Sequence, residues 1–199
     1  MVNYSSDRSF TDYVHNHLAI PIIYKALYWK LSNVEPEILN NMDVKEGIDY
    51  VFTSKSGEMV LVQERFRDSF YAKYNDATLR FRRDKNLNAD RVESEFYKIK
   101  ANYLVYGITN GSKFPEKRHT LTNFNKWVVL DLEFIKKQYR LGSIQIITDS
   151  RIYCWEKDGV LFCPENFNPD GSSSFIPFDI LLLKKIWGHE PFKPQNGYF

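Results

Sequence analysis

Residues Gly47 to Arg67 read G-I-D-Y-V-F-T-S-K-S-G-E-M-V-L-V-Q-E-R-F-R, and this stretch predicts a β-hairpin. Ile48 to Phe52 is rich in β-branched and aromatic residues, Thr53 to Glu58 carries turn chemistry around Gly57, and Met59 to Phe66 is a second apolar run. Its polar residues distinguish it from an ordinary hairpin. Asp49 stands inside the first strand, and Gln63, Glu64 and Arg65 follow Val60-Leu61-Val62 in the second. Acids are disfavoured in strands and costly to bury unpaired, so acids in mid-strand point to function.

The whole chain sets the bounds. Its 199 residues are enough for one domain with a substantial core, and 43% hydrophobic with 26% charged residues is an ordinary globular balance. The aromatic share of 16% suits base stacking and a well-filled core equally. A net charge of +2 is too small to imply polyanion binding by itself. Cys154 and Cys163 lie in an expected hairpin, and Met1 to Phe10 is polar with no secretory or transit pattern, so a cytoplasmic protein with free thiols is expected. No apolar run approaches the roughly 20 residues that span a bilayer. There is no CxxC, and His15 and His17, two apart on a helix, would point to different faces, which disfavours a structural metal.

Upstream of the hairpin, Ser9 to Asp12 reads as a helix start with Ser9 or Thr11 as cap, and apolar residues then recur helically from Tyr13 to Leu31. Pro21 is expected to kink or divide this helix, and a short helix is expected over Pro36 to Met42. Downstream, Ala77 to Arg82 alternates as a third strand with Arg80 and Arg82 on one face. A helix follows from Ala89-Asp90 to about Ala101, then a buried central strand over Tyr103 to Thr109. Beyond a long loop come a strand at Lys126 to Leu130, a helix from about Asp131 to Leu141, and strands at Ile144 to Thr148, Arg151 to Trp155 and Val160 to Cys163. A loop over Pro164 to Ser174, a helix over Pro177 to Trp187 and an irregular tail complete the chain. The expected class is α/β (α+β) with a mixed central sheet, a core over about residues 11–140 and a β-hairpin and helix extension over 144–190.

This order of elements, with Asp49 in one strand and Gln63-Glu64-Arg65 in the next, resembles the PD-(D/E)XK nuclease superfamily over roughly Thr11 to Thr109. The resemblance implies a restriction-endonuclease-like mixed central β-sheet flanked by helices and metal-dependent hydrolysis of DNA phosphodiesters. Asp49 matches the motif aspartate, without the preceding proline. The second motif reads in two ways. In one, Gln63-x-Arg65 fills it, with Arg65 in the lysine's place; in the other, Glu64 is the metal ligand and Arg65 or Arg67 supplies the cation after a bulge. Alternation forbids Glu64 and Arg65 from facing the same way in a regular strand. The implied cofactor is Mg²⁺ or Mn²⁺, held by Asp49 and by Glu64 or Gln63. Such a cation polarises a phosphoryl oxygen and activates water, whereas Arg65 can steady charge but not act as base. Where several family members carry Gln-x-x-x-Tyr, this chain has Glu93-x-x-x-Tyr97.

Arg80, Arg82, Arg83 and Lys85 form the strongest basic cluster, near Tyr71, Tyr74 and Phe81, and with Arg67 read as a nucleic-acid-binding strip. Plainer roles stand beside each reading. Asp49 fits a turn or edge-strand residue, Gln63 to Arg67 and the Arg80 cluster fit solvated strand faces, and Glu95 with Lys98 fits a surface ion pair. GxSxG, P-loop, GxGxxG and HExxH motifs are absent. Two functional classes remain: a nuclease acting on DNA, compatible with a homodimer and with no membrane partner, and a catalytically inactive nucleic-acid- or protein-binding module on the same fold. An enzyme acting on small molecules is held open because fold alone does not decide function.

Overall fold

The computed structural model describes residues 4–83, 94–148, 150–169 and 171–198. In chain order, helix α1 (Tyr4–Val14) continues as a π-helix (His15–Tyr24) and ends in α2 (Lys25–Leu27), followed by β1 (Lys30–Leu31), α3 (Pro36–Glu46), β2 (Tyr50–Thr53) and β3 (Met59–Arg67). A 3₁₀ turn (Ser69–Lys73) leads to β4 (Asp76–Arg83); α4 (Glu95–Lys98), β5 (Tyr103–Thr109), β6 (Phe124–Asp131) and α5 (Leu132–Arg140) follow. The C-terminal part holds β7 (Ile144–Ile147), β8 (Trp155–Lys157), β9 (Val160–Pro164), β10 (Asn166–Phe167), β11 (Ser173–Asp179), α6 (Ile180–Trp187) and β12 (Phe192–Asn196).

Among the described residues, the central sheet has six strands in the order β1-β2-β3-β5-β6-β12. It is mixed: β3 pairs with β5 in parallel, and every other neighbouring pair is antiparallel. A parallel pair cannot be joined by a tight turn, so the chain between β3 and β5 must cross over one face of the sheet. That crossover carries β4 and α4. Period-two alternation then sorts the side chains. Val60, Val62 and Phe66 of β3 and Val105 of β5 pack with Phe10, Val14, Leu18 and Ile23 of the N-terminal helix on one face. Leu104, Tyr106 and Ile108 pack on the other face with Leu79, Phe81 and Phe96 of the crossover. That second core also includes Leu161, Cys163, Ile176, Phe178 and Leu183, so the C-terminal strands and α6 share it.

Several expectations change. The first helix begins at Tyr4, ahead of the expected Ser9 or Thr11 cap. Pro21 neither divides nor stops it, because the helix widens to i→i+5 bonding around the missing N–H and Lys25 N–H reaches Ile20 O. Helix α3 runs to Glu46, four residues past the expected end, and is stopped by Gly47 at φ 60°, a conformation costly for any residue with a Cβ. The third strand, β4, is not part of the central sheet; it pairs with β11 in a sheet ordered β10-β11-β4. The expected helix from Ala89 lies partly outside the described residues, and its described part is the short α4. Only Trp155 of the expected Arg151–Trp155 strand is in a strand. The expected loop after Pro164 contains β10 and the start of β11, Pro177 lies in β11, and the expected tail supplies β12, the edge of the central sheet beside β6. Both cysteines are free, and no helix among the described residues is long and apolar enough to cross a membrane.

Candidate functional site

The floor of the site is the polar face of β3. Gln63, Arg65 and Arg67 alternate onto the face that the crossover covers, where Leu61 joins the crossover-side core. Asp49 sits just before β2, where its N–H still pairs with Val62 O at 2.8 Å. Its carboxylate turns onto β3: Oδ2 accepts from Gln63 Nε2 at 2.7 Å and from the Glu64 backbone N–H at 2.7 Å. Since the Gln63 amide donates through Nε2, its Oε1 is left buried without a hydrogen-bond partner.

These residues line a cleft of about 420 Å³ together with Arg80 and Arg83 of β4, Glu95 and Lys98 of α4, Tyr71 of the 3₁₀ turn, and Lys113. Arg8, Asp12 and Asp43 line its N-terminal rim, where Arg8 Nη1 bonds Asp43 Oδ2 at 3.0 Å. The crossover is fastened to β3 by Glu95. Its oxygens lie 3.5 Å from Arg65 Nη1 and 3.3 Å from Arg80 Nη1, and it accepts from the Arg80 backbone N–H at 3.2 Å. Ser94 Oγ donates to Arg80 O at 2.7 Å, which holds the start of α4 on β4.

The electrostatics divide the residues by role. Burial raises Asp49 well above the ordinary carboxylate range. The Glu64 N–H opposes this, and the charges of Asp43, Glu64 and Glu95 add to it. Burial would also raise Glu95, but Arg80 and Arg65 outweigh it and hold Glu95 below its ordinary value. Arg65 is pushed down to about 10, chiefly by burial and then by Arg67, and so stays charged at neutral pH. Beside Asp49, Gln63 Oε1 is a buried oxygen without a hydrogen-bond partner, and Glu64 Oε2 is a second one. One or two oxygen ligands from the protein suffice for Mg²⁺ when phosphate and water complete the shell. Asp49 and Gln63 are the residues that would hold such a cation, with substrate and water supplying the rest of its shell.

The structure brings together Asp49, Gln63, Arg65, Arg67, Arg80 and Arg83 of the sequence-predicted residues. It does not bring the Glu64 carboxylate to Asp49. Glu64 borders the cleft, but its side chain alternates to the other face, where Oε1 accepts from Tyr24 OH and from His15 Nδ1 at 2.8 Å. The expected pairing of the Asp49 and Glu64 carboxylates is therefore not formed, and of the two alternatives it is Gln63 that stands against Asp49, because β3 keeps regular alternation and no bulge shifts its register against β2 or β5. Arg82 points away from its neighbours Arg80 and Arg83 and pairs with buried Glu165 at 2.9 Å. Tyr97 stacks on Phe81 at 5.1 Å and does not line the cleft. Lys85 and Glu93 lie outside the described residues. Sequence reasoning missed Glu95 as the acid joining Arg65 to Arg80, and it missed Lys98 and Lys113. No local motif marks any of the three; they meet the cleft only through the crossover and the loop before β6.

Comparison with protein-family models, with curated proteins and with solved structures finds no match for this chain.

Proposed function

We propose that the cleft is the active site of a metal-dependent nuclease that hydrolyses DNA phosphodiesters, on a restriction-endonuclease-like arrangement of the mixed sheet. The observation that carries this reading is the convergence of Asp49, Gln63 and Arg65 on one face of β3, at the floor of a cleft lined by Arg67, Arg80 and Arg83. Asp49 and Gln63 would hold Mg²⁺ or Mn²⁺, which when bound polarises a phosphoryl oxygen and lowers the pKa of water. The Glu64 N–H and the Gln63 amide fix the Asp49 carboxylate, so its orientation is set before substrate arrives. Arg65, held by Glu95, presents a fixed charge to the phosphate and takes no proton from water. Arg67, Arg80 and Arg83 neutralise neighbouring phosphates.

The test is incubation of plasmid, single-stranded DNA and RNA with Mg²⁺, with Mn²⁺ or with EDTA. Metal-dependent cleavage of DNA supports the proposal. Salt-sensitive DNA binding without cleavage under any of these conditions would assign the chain to the non-catalytic binding class.

A further inference from the structure

Beyond the end of β3 the chain reads R-D-S-F-Y-A-K-Y from Arg67 to Tyr74, with aromatic and cationic residues interleaved. Asp68 caps the 3₁₀ turn by accepting from Phe70 N–H at 3.2 Å, and Ser69 N–H bonds Gly111 O at 2.9 Å, so the turn is held at the loop that carries Lys113. Its rings are joined. Phe70 meets Tyr71 edge-on at 5.4 Å, and Tyr71 meets Tyr74 at 6.3 Å. Cations lie over the rings: Arg67 is 4.9 Å from the Tyr71 centroid, and Lys73 is 5.0 Å from Phe70 and 5.1 Å from Tyr74. Arg67 and Tyr71 line the cleft, whereas Phe70 is 68% exposed. A single exposed apolar residue needs no explanation. Phe70 is different because it ends a platform of rings and cations that is continuous with the cleft.

We propose that this platform binds a single-stranded segment of DNA, with an unpaired base stacked on Phe70 while a phosphate of the same strand lies at Asp49. The inference rests on reading the cleft as a phosphodiester site. Stacking requires an exposed ring face, and Lys73 and Arg67 supply charge for the flanking phosphates. Bases inside a duplex are covered by their neighbours, so only an unpaired base can use Phe70.

Binding is measured in EDTA by fluorescence anisotropy, with labelled oligo(dT) and a duplex of equal length, for the full chain and its Phe70→Ala and Phe70→Trp variants. The expected result is tighter binding of oligo(dT) than of duplex. Phe70→Ala weakens oligo(dT) binding about 5- to 150-fold while leaving the duplex unchanged, and Phe70→Trp restores it. Unchanged oligo(dT) affinity in Phe70→Ala, or tighter binding of duplex by the unaltered chain, overturns the proposal. Phe70 is exposed, so a melting curve matching that of the unaltered chain establishes that the variant is folded. The assay needs no cleavage: its failure leaves the nuclease reading standing, and Phe70-dependent binding by a chain that cuts no DNA would remove the nuclease reading alone.

Discussion

His15 and Tyr24 stand nine residues apart on one helix, and both bond the same oxygen of Glu64. Nine residues are two and a half turns of an α-helix at about 3.6 residues per turn, which would place the two side chains on opposite faces. An i→i+5 helix turns more slowly, about 4.4 residues per turn, so nine residues make about two turns and the faces coincide. The widened helix around Pro21 is what lets both side chains reach β3. Burial, and after it the charge of Glu64, hold the Tyr24 phenol well above its ordinary pKa, so Tyr24 remains a donor.

Glu64 therefore anchors the N-terminal helix. Glu64→Leu leaves the Tyr24 hydroxyl and His15 Nδ1 buried without their acceptor, at a cost of about 1–3 kcal/mol for each unsatisfied group. Glu64→Gln keeps an acceptor oxygen and costs less. Urea titrations of the two variants should place the Leu midpoint clearly below that of Gln.

Asp49→Asn isolates the energetic cost of the buried charge. The asparagine Oδ1 still accepts from Gln63 and from the Glu64 N–H, but the buried charge is gone. The raised pKa of Asp49 means that the folded state binds this proton more tightly than the unfolded state. Ionised Asp49 thus costs stability, in full above its folded pKa, and the cost disappears as pH falls below the ordinary carboxylate value. Asp49→Asn should therefore melt at a higher temperature than the unaltered chain at neutral pH, and at the same temperature in strong acid.

Glu95 carries the opposite sign. Its folded pKa is held low by Arg80 and Arg65 against the effect of burial, so its contribution is present above the unfolded carboxylate pKa and is lost as pH falls through the folded one. Glu95→Gln should destabilise the protein at neutral pH, and the difference from the unaltered chain should shrink through the acid range. Melting temperatures measured across pH give both curves.

Gly107 lies in β5 where a Cβ would stand 2.6 Å from the Phe124 ring. Gly107→Ala should cost about 1–3 kcal/mol by overpacking. Combining it with Phe124→Ala should cost less than the sum of the two single changes, which a double-mutant cycle measures.

The hairpin was legible because its signals are local: alternation and turn residues set β2 and β3, and the residue types at Asp49, Gln63 and Arg65 drew attention at once. The buried run at Tyr103 to Thr109 gave the central strand equally directly. What escaped depends on long-range pairing. Nothing near Phe192 marks it for the sheet edge beside β6, and nothing in Ala77 to Arg82 says that β4 pairs with β11 in a separate sheet. Glu95 reads as the partner of Lys98, three residues on, until the crossover sets it between Arg65 and Arg80. The register of Glu64 needed the helix on the other face to decide it, since His15 and Tyr24 align with one acid only through a widened turn around Pro21.

The most direct test of the site is the single-turnover rate of DNA cleavage in Mn²⁺ for the unaltered chain, Asp49→Asn and Glu64→Gln, measured side by side. If Asp49 and Gln63 form the metal face and Glu64 anchors the helix behind it, Asp49→Asn loses about 100-fold or more of the rate, while Glu64→Gln stays within about threefold of the unaltered chain. Undiminished cleavage by Asp49→Asn would contradict this account, as would its loss in a folded Glu64→Gln protein.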